Sequence, residues 1–191
     1  MKILLVLAIF MNLLFLFIII NLLHKNKKLA KRVKSFDDVK IWHTLAFKDD
    51  LTGIYNRTAY SRHVTEIEKR DTTKGCALVL FDVDDFKEIN DTKGHLVGDA
   101  VLKQVAKTLM TVFNSGKYTL YRIGGDEFAV IAENITEDQL IASMVKLEAV
   151  MKKSDDVRLS KGYSMIQGSV VAAFKLADEM LYADKESKKH T

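Results

Sequence analysis

Gly124-Gly125-Asp126-Glu127, followed by Phe128, sets two residues without side chains directly before two carboxylates. Glycine opens backbone angles closed to other residues and leaves no Cβ to block a ligand. Asp126 and Glu127 supply hard oxygen donors of the kind that hold a divalent cation beside a phosphate. Taken alone, Gly-Gly-Asp is equally ordinary turn chemistry. A second acidic cluster shifts that balance. Asp82, Asp84 and Asp85 follow the apolar run Cys76 to Phe81, which reads as a buried strand, so Asp82 arrives at the rim of a sheet on a stiff element. Asp82-x-Asp84 fits the opening of a calcium-binding EF-hand loop. That reading fails at Lys87, where the loop needs glycine, and at Lys93, where it needs a bidentate glutamate. No Walker-type phosphate loop is present. What remains is an acid-tipped strand beside a Gly-Gly-Asp-Glu hairpin, the geometry in which a palm-like sheet holds divalent metal for phosphoryl transfer. Lys87 follows as a phosphate counter-charge. A competing reading makes these acids a solvated helix start, where carboxylates favour the helix dipole.

The elements that must position these residues alternate along the chain. Tyr118 to Ile123 and Phe128 to Ala132 read as the two strands of the hairpin. Asn56 to about Arg70 is expected to be an amphipathic helix, and Asp99 to about Asn114 a stronger one through Val101, Leu102, Val105, Leu109 and Val112. Thr136 to about Lys152 is a further helix, capped by Thr136 with Gln139 at the capping-box position. Val157 to Ser160 reads as a short strand and Val170 to Lys188 as a closing helix. The order β-α-β-β-α-β predicts an α+β, ferredoxin-like fold.

The 191 residues leave room for an appendage before that domain. Ile3 to Leu23 is apolar except for Asn12 and Asn21, long enough to span a bilayer as one transmembrane helix. No small-x-small cleavage site follows, which favours a retained anchor over a signal peptide. Lys25, Lys27, Lys28, Lys31, Arg32 and Lys34 come next, with no acid before Asp37. This excess predicts that the carboxyl-terminal side faces the cytoplasm. The formal net charge of +4 includes Lys2 and those six cations, so the remainder stands at −3. The basic balance therefore points to a membrane surface and not to nucleic acid. Cys76, the one cysteine, excludes an internal disulfide and suits a reducing compartment. Leu29 to Phe47 carries an apolar stripe at helical spacing. It forms a short parallel coiled coil or packs on the domain behind it, and Lys40 and His43 interrupt a clean heptad. The expected organisation is a membrane anchor over 1–24, a basic linker helix over 25–47 and the chemistry-bearing domain over 48–191. Two residues precede the apolar run, so no extracytoplasmic sensory module is expected.

Five motifs in order make the domain similar to the GGDEF family of diguanylate cyclases, from Asp49 to about Lys189. They are Asp49-Asp50-Leu51-Thr52-Gly53-Ile54-Tyr55-Asn56-Arg57; Asp82-x-Asp84-x-Phe86-Lys87-x-Ile89-Asn90-Asp91-x-x-Gly94-His95-x-x-Gly98-Asp99; Gly124 to Phe128; Ser160-Lys161-Gly162; and Ala177-Asp178-x-x-Leu181-Tyr182-x-x-Lys185. The resemblance implies a nucleotidyl-cyclase palm-type domain that condenses two GTP to cyclic di-GMP and pyrophosphate, as a homodimer with facing sites. It implies Mg²⁺, with Mn²⁺ as a substitute, held by Asp82, the Val83 carbonyl and Asp126. Asp126 and Glu127 are implied to assist catalysis, and Gly124 and Gly125 to let the substrate approach. Lys87, Lys185 and the backbone N–H groups of Asp85 and Phe86 are implied to bind phosphate, and Asn90 and Asp99 to read guanine. His95 is taken as structural. Members under product inhibition carry Arg-x-x-Asp shortly before the Gly-Gly turn, where this chain has Ser115, Gly116, Lys117 and Tyr118, so no feedback is expected. The terminal Gly-Arg-Asn pattern appears as Lys188-Lys189-His190, and Lys189 supplies charge without arginine's fork. The stretch from Ser160 to Ala177 is compressed. That motivates an alternative: a catalytically degenerate domain that binds GTP or a protein at the membrane. Control is expected through the membrane, a membrane protein partner or expression level.

Overall fold

Ala77–Val83 is apolar at every position but Asp82 and is buried along its whole length. A continuous apolar run of this kind suits a strand covered on both faces, and this strand is central in a four-stranded sheet. In chain order the elements are α1 (Arg57–Glu68), β1 (Ala77–Val83), α2 (Phe86–Lys93), α3 (His95–Val112), β2 (Tyr118–Arg122), β3 (Glu127–Ala132), α4 (Glu137–Met151), β4 (Leu159–Met165) and α5 (Val170–Lys189). The sheet order is β2-β3-β1-β4, and every pairing is antiparallel. This is the arrangement that the β-α-β-β-α-β order predicts.

The two faces of the sheet carry separate cores. Ala77, Val79, Phe81 and Val83 pack with Leu102, Val105 and Leu109 of α3 and Leu140 and Leu147 of α4. Leu78 and Leu80 pack on the other side with Ile67 of α1 and Ala173 and Ala177 of α5. Side chains alternate with period two along a strand, so Asp82 falls on the α5 face. At Gly162 of β4 that helix comes very close: a Cβ there would lie 1.9 Å from the Ala177 carbonyl oxygen and 2.4 Å from the Leu181 nitrogen. Only glycine admits the approach.

The computed structural model describes residues 11, 15, 17–29, 42, 44–70, 72–152 and 157–189. The chain divides into two compact units, Met1–Thr44 and Leu45–Thr191. The described residues of 17–29 are helical and exposed. Most of the expected membrane span over Ile3 to Leu23, and most of the expected linker helix over Leu29 to Phe47, lies outside the described residues. Among the described residues no helix is long and apolar enough to cross a membrane.

Several boundaries differ from the sequence reading for local reasons. The helix expected from Asp99 begins at His95, directly after Gly94 at φ 83°. A separate helix, α2, fills Phe86–Lys93 behind Asp85, which is itself left-handed at φ 55° and makes no side-chain cap. The short strand expected at Val157 to Ser160 instead runs Leu159–Met165, because it pairs with the whole of β1. The compressed stretch is closed by a turn at the far end of the sheet. There Thr73 Oγ1 donates to the Ile166 carbonyl at 3.0 Å and accepts from Gly168 N–H at 2.9 Å, with Gly168 at φ 86°. Thr136 caps α4 with Gln139 in a full capping box, as its sequence signals.

Candidate active site

Register places the acids at one rim. Asp82 pairs with Glu127 on one side and with Ser160 on the other, and cross-strand partners project on the same face. The tip of β1 is tied to the hairpin turn by the Val83 N–H, which donates to the Asp126 carbonyl at 3.2 Å. Asp82, Val83, Gly124, Gly125, Asp126 and Glu127 therefore share one end of the sheet. Neither glycine has a positive φ, so the expectation of special backbone angles at Gly124 and Gly125 is not met. Gly124 makes room instead: a Cβ there would stand 2.1 Å from Glu127 Oε2, whereas one at Gly125 would meet nothing within 4 Å.

Asp82 is 8% exposed and sits 2.7 Å, through Oδ1, from Lys185 Nζ. Burial pushes its carboxyl up, the Lys185 ammonium pulls it back, and Asp126 and Asp84 push it up again, leaving it above the ordinary aspartate range. Lys185 comes from the last turns of α5, where the sequence reading assigned it to phosphate. Asp84 is also turned inward. Its Oδ1 accepts from Ser160 Oγ at 2.5 Å, while the buried Oδ2 has no hydrogen-bond partner and stands 3.7 Å from Lys188 Nζ. Asp82, Asp84 and Asp85 open with Lys185 onto a cavity of about 450 Å³. Glu127 opens onto a different cavity of about 300 Å³ with Arg57 and Asp178. Lys87 is exposed on the first turn of α2 and lines neither.

The expected guanine readers sit on the α2–α3 pair. A Cβ at Gly98 would lie 2.0 Å from Asn90 Oδ1 and 3.3 Å from the Phe86 ring. Asn90 is thus packed against the residue that precedes Asp99. Asp85 is left-handed at the head of α2 and makes no side-chain cap, so the first N–H groups of that helix keep the free donors of a helix start.

Two features were not read from the sequence. Arg122 Nη1 donates to both oxygens of Asp49, at 3.1 and 3.2 Å, while its Nε and Nη2 donate to the Gly125 carbonyl at 3.1 and 2.7 Å. One guanidinium thus fixes the Gly-Gly turn to the start of the domain. Lys188 Nζ donates to the Leu159 carbonyl at 2.6 Å, to Asp184 Oδ2 at 2.7 Å and to Ser160 Oγ at 3.3 Å, binding the end of α5 to the start of β4. The signal for the first was Asp49 at the head of the first motif and Arg122 two residues before the Gly-Gly turn; for the second, only the basic run at the end of the chain.

A model of the GGDEF family, described as diguanylate cyclase, GGDEF domain, matches residues 46–191. The chain belongs to the GGDEF family. This GGDEF chain is 38% identical over 155 residues to the probable diguanylate cyclase DgcI of Escherichia coli K12, covering 78% of this chain and 34% of that protein. It is 31% identical over 171 residues to an uncharacterized membrane protein of Staphylococcus aureus USA300, covering 77% of this chain and 48% of the relative. The chain thus spans between a third and a half of the length of these relatives. The coiled coil and GGDEF domain of DgcB from Caulobacter crescentus, solved in complex with c-di-GMP, superposes with a TM-score of 0.73 at 24% identity, over 84% of this chain and 92% of that one. This likeness supports the GGDEF fold.

Proposed function

We propose that the domain is a diguanylate cyclase, condensing two GTP to cyclic di-GMP and two pyrophosphates at the interface of two facing copies. The observation that carries this reading is the convergence at one rim of Asp82, Val83, Asp126 and Glu127, tied by the 3.2 Å bond from Val83 to Asp126 and faced by Lys185 at 2.7 Å. The donors offered by Asp82, Asp126 and the Val83 carbonyl are all oxygen, which suits Mg²⁺, or Mn²⁺ in its place. Among the described residues no three His, Cys, Asp or Glu side chains gather into a protein-only metal cage. Mg²⁺ is commonly held by one or two carboxylates with water and substrate phosphates. A divalent ion held by these residues would supply charge neutralisation at the α-phosphate.

The chain's own groups do the rest. Asp126 with Glu127 assists removal of the one proton of the attacking 3′-hydroxyl, the work of a positioned general base. Lys185, Lys87 and the N–H groups at Asp85 and Phe86 hold the phosphates. Asp99 accepts from the guanine N1–H and 2-amino group while Asn90 fixes the base edge. Each domain holds one GTP, so a second copy must present the other α-phosphate.

The apolar Ile3 to Leu23 run and the cations behind it support attachment to the cell membrane as a single span, with the domain on the cytoplasmic side. Freedom from product inhibition is supported by the residues at the matching positions. Ser115 stands where the arginine would be, and Tyr118, where the aspartate would be, shares a 2.9 Å hydrogen bond through its hydroxyl with Ser143. Against the degenerate reading stands the placing of the turn after β4, which closes at the Ala77–Met165 end of the sheet, away from the Asp82–Ser160 end that carries the acids.

The test is the full-length chain in lipid vesicles, incubated with GTP and Mg²⁺ and assayed for cyclic di-GMP. Product is expected, and added cyclic di-GMP is expected to leave its rate unchanged. Absence of product at high protein density would sink the cyclase reading.

A further inference from the structure

Arg158 is fixed to the catalytic rim by its backbone, since its carbonyl accepts from the Asp84 N–H at 3.0 Å. Its guanidinium lies across the head of α2, with Nη2 2.8 Å from Asp85 Oδ2. Both side chains are more than half exposed, 67% and 57%. An exposed pair of this kind contributes little to stability, so the contact is weak as a fold device and open to exchange of partners.

Arg158 opens onto the same cavity as Lys185, Lys188 and Lys189. These cations are not equivalent. Lys188 directs its three N–H donors to Leu159, Asp184 and Ser160. Lys185 is held by Asp82. Lys189 stands 2.7 Å from Glu186, and an ammonium meets phosphate as a point charge. Among the described residues Arg158 is the one planar fork lining this cavity, a shape that matches two phosphate oxygens at once. The cavity also holds three carboxylates, Asp82, Asp84 and Asp85, so a triphosphate entering it needs cationic contacts beyond Lys185.

We propose that Arg158 grips the terminal phosphates of bound GTP, leaving Asp85 to solvent and supplying from the start of β4 the fork that Lys189 does not supply from α5. The inference rests on the GTP site proposed above. It adds a substrate-binding residue that sequence reading placed only as part of a short strand.

The experiment uses full-length chain in lipid with Mg²⁺ and two probes: 3′-deoxy-GTP, which cannot be condensed, and GMP, which lacks the terminal phosphates. Arg158→Ala is expected to weaken 3′-deoxy-GTP about tenfold, the size of one lost charge-assisted contact, with GMP affinity and the thermal midpoint unchanged. Arg158→Lys is expected to recover only part of the loss. Equal weakening of both probes, or unchanged 3′-deoxy-GTP affinity, overturns the assignment. A triphosphate-selective loss in a chain that makes no cyclic di-GMP upholds Arg158 and removes the cyclase reading. A productive chain with unchanged Arg158→Ala affinity does the reverse. A wild-type chain that binds no 3′-deoxy-GTP overturns both.

Discussion

Asp82 is kept as a carboxylate in a place where burial works against its charge. A residue retained on those terms trades stability for chemistry. Asp82→Asn is therefore expected to abolish cyclic di-GMP formation while its thermal midpoint, measured without nucleotide, stays at or above wild type; a large fall in that midpoint would contradict the trade. Asp49 behaves in the opposite sense. Burial pushes its carboxyl up, but the Thr52 hydroxyl and N–H and the Arg122 guanidinium outweigh this and hold it below the ordinary value of 3.8. A depressed carboxylate contributes stability that is present above its unfolded pKa and lost as pH falls through the folded one. Asp49→Asn is expected to cost about 1–3 kcal/mol at neutral pH, with the cost disappearing in acid below the ordinary aspartate value, as denaturant melts at several pH values would report. The carboxylates, glycines and lysines of the site were legible because each stands inside a short local motif. Arg158, Asp184 and Lys188 were not, since their roles arise where the start of β4 meets the end of α5.

The same division holds for the elements. Thr136 and Gln139 announce α4 because a capping box is a signal contained in four residues. The helix α2 gave no such signal, because its N-cap residue Asp85 is left-handed and caps nothing. The strand β4 was read too short because Lys161 and Gly162 look unlike strand interior, yet β4 is an edge strand. There Lys161 reaches Glu148 at 2.9 Å, and Gly162 lets α5 close down. Gly162→Ala sets a side-chain carbon against helix backbone and must push α5 away, at about 1–3 kcal/mol. Because that helix carries Lys185, KM for GTP is expected to rise along with the fall in stability. An alanine variant with wild-type denaturation and wild-type KM would show that α5 is not held in this way. Gly98→Ala is expected to act more narrowly, displacing Asn90 and raising KM for GTP with little change in the thermal midpoint.

At the scale of the whole molecule, one domain holds half of the proposed reaction. Specific activity is accordingly expected to rise with surface density in vesicles, and to be restored by a leucine zipper in place of residues 1–24. Density-independent activity would mean that association is not limiting. Nothing in the sequence states how two copies meet, because no residue of this chain needs to be read against itself until the acids are seen on a single rim. One minor feature offers a way to watch that meeting. Cys76, the chain's single cysteine, is 5% exposed directly before β1, and burial raises its thiol pKa. For thiol-directed labelling the native chain is thus already a blank background. Leu96, 86% exposed at the head of α3, becomes the sole reactive position in Leu96→Cys. A nitroxide there should report a dipolar distance between two copies when 3′-deoxy-GTP and Mg²⁺ are added, turning an inert buried thiol into the means of measuring the encounter.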